Sequence, residues 1–185
     1  MKKNFGKDTL MFPMPVLIVA TYDEDGNPNA MNAAWGGIHN TNQIGICLSH
    51  DHKTAKNIML KQAFTVSIAD AAHTAECDYL GIASANKVQN KLNKVNFTVT
   101  KSQNVDAPII NELPMALECK LVSYDIVSDY LVADIVNVCA EDSVLTAGKI
   151  DPAKLKPITY DPVNHKYIQL GEIVGNAFSD GKKFK

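Results

Sequence analysis

Two stretches hold most of the residues able to do chemistry. Asn29, Ala30, Met31, Asn32, Ala33, Ala34 and Trp35, followed by Gly36 and Gly37, combine small side chains, two amides and the only tryptophan. Ser49, His50, Asp51, His52, Lys53 and Thr54 supply hydroxyls, two imidazoles and a lysine at the start of an expected helix. Small residues let a backbone approach a flat ligand closely. Hydroxyls and free N–H groups at a helix start suit an anion, and the helix dipole reinforces them. Together the two stretches point to a site for a phosphorylated, planar cofactor. Ser49, His50 and Thr54 are the expected phosphate clamp, with Lys53 either adding charge or simply solvated. His50 and His52 form a His-x-His pair, but no third ligand is evident, so a metal is not expected.

Other chemistries lack their residues. No Ser-His-Asp or Cys-His constellation has an identifiable spacing. No G-x-G-x-x-G follows a strand-like run, so a separate Rossmann site is not expected. The basic residues are all lysine, which leaves lysine, hydroxyl, imidazole or backbone N–H to hold a phosphate, rather than a bidentate guanidinium. Net charge is −2 and no lysine stripe is interleaved with aromatics, which argues against nucleic acid. Cys47, Cys77, Cys119 and Cys139 are widely spaced and match no disulfide framework or zinc set. Three of them, Cys47, Cys119 and Cys139, fall in apolar strand-like runs and read as small buried hydrophobes. The start of the chain lacks the apolar core of a signal peptide, and no apolar run reaches membrane-spanning length. A reducing cytoplasm is the default expectation.

The elements that must position these residues are mostly strands. At 185 residues, one domain with a real core is expected over 1–185. Val16–Tyr22 is a continuous apolar and β-branched run, and the Asp25-Gly26 turn sends the chain back through Asn29–Ile38. Gln43–Ser49 is a third strand. Lys53–Lys61 is a short helix, with Asp51 its candidate N-cap and Ala55, Ile58 and Met59 on its buried face. Ala63–Ala69 alternates as a strand, and Thr74–Ala83 is a second helix, capped by Thr74 and weakened near its end by Gly81. Ser84–Lys94 reads as a loop with a helical turn. Phe97–Thr100 and Ala107–Ile110 are short strand pieces. Leu113–Val127 and Tyr130–Val138 form a long antiparallel pair bent at Asp125–Asp129. In the tail, Ile150–Pro157 is a Pro-punctuated turn of helix. Ile158–Tyr160, Tyr167–Leu170 and Gly171–Phe178 are short segments expected to fold over something. Many strands with tight turns and few helices imply a mainly β fold, an antiparallel barrel with short helical insertions.

Pro28-Asn29-Ala30-Met31-Asn32-Ala33-Ala34-Trp35, followed by Leu48-Ser49 and Thr54, resembles the flavin reductase-like family with an FMN-binding split barrel, and within it the flavoredoxin branch. Leu113-Pro-Met-Ala-Leu-Glu-Cys119 and Leu170-Gly-Glu-Ile-Val-Gly175 extend the likeness to the range from about Val16 to Phe178. The resemblance implies a homodimer with FMN bound non-covalently near the subunit interface. Asn29 would then bond the flavin's polar edge or its ribityl hydroxyls. The backbone of Ala33 and Ala34 would lie close to the cofactor. Trp35 either covers apolar ring surface or anchors the core. The family's phosphate-binding lysine corresponds to Lys91 if one residue is inserted; otherwise Asn90 takes that place and Lys87 is the nearest cation. Where relatives often carry a histidine in the bend before the return strand, this chain has Ser128-Asp129-Tyr130, so a polar contact is expected there but no imidazole. Tyr160 matches an aromatic position expected against the flavin.

The resemblance leads first to an FMN oxidoreductase, taking electrons from NAD(P)H as a transient donor or from a redox protein. The alternative is a carrier that keeps FMN bound and relays electrons between protein partners. A third option is a split barrel that holds haem or a pyridoxal phosphate-like ligand.

Overall fold

The computed structural model describes residues 1–185. A short strand β1 (Met14–Pro15) leads into β2 (Leu17–Tyr22), whose first five residues are buried. Asp23 closes the following turn, its Oδ1 accepting from the N–H groups of Asp25 at 3.0 Å and Asn27 at 2.8 Å. Strand β3 (Pro28–Ala33) then returns antiparallel to β2, with Leu17 opposite Ala33.

The expected single strand Asn29–Ile38 is broken in two. β4 (Gly36–Asn40) begins after Ala34 and Trp35 and pairs with β5 (Gln43–Cys47) instead of β2. The carbonyl of Trp35 already accepts from Cys47 N–H at 2.8 Å. Helix α1 (Lys53–Lys61) and strand β6 (Ala63–Ile68) follow, then α2 (Thr74–Ile82) and the one-turn α3 (Lys91–Lys94). β7 (Val99–Lys101) and β8 (Pro108–Ile110) make a small ribbon. β9 (Met115–Asp125) and β10 (Tyr130–Ala140) make the long hairpin, and β11 (Leu145–Thr146) and β12 (Lys149–Ile150) a second ribbon. Asp151 caps α4 (Pro152–Leu155), accepting from Ala153 N–H at 2.9 Å. β13 (Ile158–Asp161) and β14 (Lys166–Gln169) join β1 in a three-stranded sheet.

The main sheet has seven antiparallel strands in the order β3-β2-β6-β9-β10-β5-β4. Its two edge strands, β3 and β4, are consecutive in the chain, so the sheet curls back on itself and the Ala34-Trp35 link closes the split. Gly36 sits at this seam. A Cβ there would lie 2.9 Å from Leu17 Cδ1 on β2 and 3.0 Å from Ile46 Cγ1 on β5, so a side chain would press on core residues from both sides of the seam.

Strand alternation divides the core into two layers. Leu17, Val19, Ile46, Phe64, Val66 and Leu131 fill the curl, plugged by Ala55 and Ile58 of α1. Ile18, Ala20 and Ala30 face outward against Cys77 and Leu80 of α2 and Leu92 of α3. Both faces of β2 are therefore covered, which is why its sequence is a continuous apolar run. The buried face of α1 carries Thr54 and Asn57 beside Ala55 and Ile58, where Met59 had been expected. The caps differ too. His52, not Asp51, stands at the N-cap of α1, and His73, not Thr74, at that of α2, its N–H donating to Asp70 Oδ1 at 2.9 Å. In the tail, Leu170 N–H donates to Pro157 O at 3.0 Å, and residues 171–185 beyond it are exposed. The expectation that Gly171–Phe178 folds over the body is not met within one chain. No helix is long and apolar enough to cross a membrane.

One buried acid pins the hairpin to the adjoining ribbon. Glu118 is 2% exposed and faces no cation. Its Oε2 accepts from Ser102 Oγ and from Asn104 Nδ2 at 3.0 Å, and its Oε1 from Asn137 Nδ2 at 2.5 Å. Burial works to raise its pKa, but the donated hydrogen bonds outweigh it and hold the carboxyl below its ordinary range. Its contribution to stability is thus complete above the unfolded carboxylate's pKa and is lost as pH falls through the lower folded value. Glu118→Gln turns an NH2 group toward a donor and should cost about 1–3 kcal/mol. The urea midpoint at pH 7 measures this, and the variant should also lose part of the wild type's destabilisation in acid.

Candidate functional site

The start of α1 leaves its first N–H groups open. Its N-cap residue His52 makes no side-chain cap, and its first turn contains no acid. The first backbone bond of the helix runs from Lys56 N–H to His52 O, which leaves the N–H groups of Lys53, Thr54 and Ala55 without backbone acceptors. Thr54 is 2% exposed, and its Oγ1 accepts from Asn29 Nδ2 at 2.7 Å. That bond uses a lone pair and leaves the hydroxyl proton to give.

Lys91 completes this end. It is only 3% exposed, and its Nζ donates to Ala30 O at 2.9 Å and Leu80 O at 2.8 Å. No carboxylate pairs with it, and burial lowers its pKa to about 8. An ammonium has three protons, so one donor remains beyond the two carbonyls. The two candidate lysines differ in burial: Lys91 is enclosed, whereas Lys87 is exposed. Lys53 Nζ is held by Glu24 at 2.7 Å.

Three hollows run on from one another. The first, about 210 Å³, is lined by Met31, His52, Lys53, Thr54, Gly81 and Lys91 among others. The second, about 370 Å³, shares Asn32 and Gly81 with it and adds Ala34, Tyr160, His165 and Tyr167. The third, about 450 Å³, shares Ala34 with the second and is walled by Trp35, Met11, Ile38 and Tyr130. The row passes from cationic through polar-aromatic to apolar. Such a row matches an elongated ligand with an anionic end and a flat, apolar end.

The expected site residues separate into two groups. Asn29, Met31, Asn32, Ala34, Trp35, Thr54, Lys91 and Tyr160 line the hollows or bond to residues that do. Ala30 is buried and contributes its carbonyl to Lys91, while Ala33 packs inside the curl. Trp35 is 57% exposed, so it does not anchor the core. Tyr160 stands in the second hollow, with Oη 2.7 Å from His165 Nδ1.

Ser49, His50 and Ser128 stand apart from the row. Asp129 Oδ1 accepts from both the N–H of His50 at 2.9 Å and its Nδ1 at 2.8 Å, which turns the ring toward the β9–β10 bend. Ser49 Oγ lies 3.5 Å from Asp51 N, and Ser128 Oγ donates to Asp125 Oδ2 at 2.6 Å in the exposed bend. Among the lining residues not foreseen are His52, Asp78, Gly81, His165 and Tyr167. Gly81 did leave a trace in the sequence, as a helix-weakening residue. Its purpose is room: a Cβ there would approach Asn32 Cβ to 3.2 Å. No three His, Cys, Asp or Glu side chains converge on a point able to hold a metal ion.

Residues 9–164 match the model of the flavin reductase like domain. The chain belongs to the flavin reductase-like family. Flavoredoxin of Desulfovibrio vulgaris (Miyazaki F) is 36% identical, with a TM-score of 0.93 over 98% of this chain and 100% of that one. Flavoredoxin from Methanosarcina acetivorans is 25% identical, with a TM-score of 0.90 over 100% of both chains. These two similarities put the chain in the flavoredoxin branch. Nitrilotriacetate monooxygenase component B from Bacillus cereus, 20% identical, shares the fold at a TM-score of 0.79 over 95% of this chain and 99% of that one. The antiparallel split barrel expected from the sequence is the fold observed.

An anion receptor at this end would have a simple signature. Inorganic phosphate at ten times its Kd should stabilise the protein by ~1.4 kcal/mol, or about 3–6 °C in Tm for a chain of this size. Thr54→Val and Lys91→Met should each reduce that shift sharply, and Lys87→Met should leave it intact. Equal shifts in all three variants would remove the receptor.

Proposed function

We propose that the protein binds FMN and works as an electron-transferring oxidoreductase. The observation that carries this reading is Lys91: a buried ammonium without a counter-charge, with one donor to spare, lining the same hollow as the uncapped start of α1. A dianionic phosphate ester meets that demand. In this reading Lys91, the Thr54 hydroxyl and the free N–H groups of Lys53, Thr54 and Ala55 hold the phosphate. Asn32, the Ala33-Ala34 backbone, Trp35 and Tyr160 flank the rest of the cofactor. When bound, the flavin supplies the hydride and single-electron chemistry. The protein orients it, limits water at its charged end and leaves its apolar end approachable. His50 and Ser128 serve the β9–β10 bend instead.

The exposed Trp35 and the 74% exposed Ile38 beside it support a homodimer in which a second copy shields the apolar end. All four cysteines are free thiols, which fits a reducing cytoplasm. The donor is NAD(P)H or a reduced redox protein. The likeness to flavoredoxin over almost the whole chain favours the redox protein, and with it a relay that retains its flavin.

Two measurements test this. Anaerobic stopped flow separates the donors: a reductase bleaches its flavin with NADH or NADPH, whereas a relay bleaches only with a reduced ferredoxin-type donor. Bleaching by none of these donors removes the electron-transfer reading. The pH dependence of FMN binding tests the clamp. Lys91 in the free protein loses its proton above about pH 8, and the phosphate monoester gains one below about pH 6. Affinity measured by flavin fluorescence quenching should therefore be highest between those values and fall on both sides. In Lys91→Met the alkaline fall should disappear and the acidic one persist.

A further inference from the structure

The second hollow contains a chain of hydrogen bonds that the cofactor site does not itself require. Asn32 Nδ2 donates to Cys77 O at 3.1 Å and lies 3.5 Å from Tyr167 Oη. Tyr167 Oη donates in turn to Asp78 Oδ1 at 2.7 Å. The polarity of this chain is forced by chemistry. A backbone carbonyl and a carboxylate only accept, so the phenol must give its proton to Asp78 and turn a lone pair toward Asn32. Burial, and then the bond to Asp78, push the Tyr167 phenol well above its ordinary value, so it keeps that proton throughout the neutral range.

Both groups facing the Asn32 NH2 are therefore acceptors, which fixes the amide against flipping. Its remaining group, the carbonyl Oδ1, has no partner within the protein and belongs to a residue that lines both the first and the second hollow. Gly81 lets α2 approach closely enough for this, since any side chain there would press on Asn32. An amide left free would offer a ligand either a donor or an acceptor. This one offers only an acceptor.

We propose that Asn32 is a fixed acceptor that selects a hydrogen-bond donor on the bound flavin, with Tyr167 and Asp78 as positioning residues that hold its amide in that sense. The inference rests on the FMN reading above. The donor is the flavin ring N3–H or a ribityl O–H, since these are the donors that FMN carries outside its phosphate.

The test is a fluorescence-quenching titration with FMN, N3-methyl-FMN and 2′-deoxy-FMN. One lost hydrogen bond corresponds to about 3- to 10-fold in affinity. Wild type should bind one analogue weaker than FMN by at least that factor: the methylated one if the ring N–H is read, the deoxy one if a ribityl hydroxyl is. Asn32→Ala should bring the ratio of that analogue to FMN close to one. Tyr167→Phe and Asp78→Asn should keep FMN binding while lowering the ratio, a change that loss of stability alone would not produce. A ratio unchanged in both variants removes Tyr167 and Asp78 from positioning. Wild type binding both analogues as tightly as FMN overturns the proposal and leaves the FMN reading standing. Failure of FMN itself to be quenched overturns that reading first.

Discussion

A lysine ammonium buried without a carboxylate is the constraint around which this end of the molecule is built. Moving a charge out of water is costly unless its donors are met. Lys91 meets two of them with the carbonyls of Ala30 and Leu80. Neither carbonyl is there by chance. Ala30 lies on β3, an edge strand, whose outward backbone groups have no further strand to pair with. Leu80 lies in the last turn of α2, where carbonyls lack helical partners and the dipole is negative. The cation is thus fixed at the negative end of α2 while the positive end of α1 opens beside it. An anion placed between them is favoured by both, and the protein alone supplies only half of that arrangement.

The barrel's closure puts the apolar end of the site at the other side of the same strand. β3 pairs on one side only, with β2, and after Ala34 and Trp35 the chain joins the opposite edge of the sheet. Of the two linking residues Ala34 is half-buried and Trp35 is exposed. An indole, ordinarily among the more buried groups of a protein, is left 57% exposed here. Residues from Asn29 to Trp35 therefore pass in sequence from a buried polar contact with Thr54, through Asn32 between two hollows, to an open aromatic surface. A single segment can follow an extended ligand along its length only because it is at once an edge strand and the seam.

Much of this was legible in the residues. The apolar run of β2, the Asp25-Gly26 turn and the alternation of β9 gave the hairpins directly, because strand period and turn chemistry are local properties. Thr54 was legible as a hydroxyl near a helix start. What could not be read was any choice made by a partner distant in sequence. His50 looks as suited to an anion as His52, yet Asp129, seventy-nine residues away, claims both its N–H and its ring. Lys91 and Lys87 differ by four positions in a lysine-rich stretch, and only packing against β3 and α2 decides which one is enclosed. The break at Ala34 has the same origin. Nothing in the run of small residues marks where pairing with β2 ends, because the break is set by where the curled sheet meets itself.

The uneven enclosure of the site carries a consequence for how the protein divides its work. At the anionic end Thr54 and Lys91 are 2% and 3% exposed, so their interactions act with little screening by salt or water. At the apolar end Trp35 and Ile38 remain largely exposed, and surface of that kind contributes nothing until something covers it. On the FMN reading, retention of the cofactor and access to it would therefore be controlled at opposite ends, by different residues and different forces. A change in the lysine or threonine alters how tightly the ligand is held without touching what approaches its flat end. A change in the tryptophan does the reverse only where the covering partner, rather than the ligand, is what the indole meets. On the FMN reading proposed above, that separation would let one scaffold keep the same phosphate-holding end while the surface around Trp35 sets which electron donor or acceptor comes near.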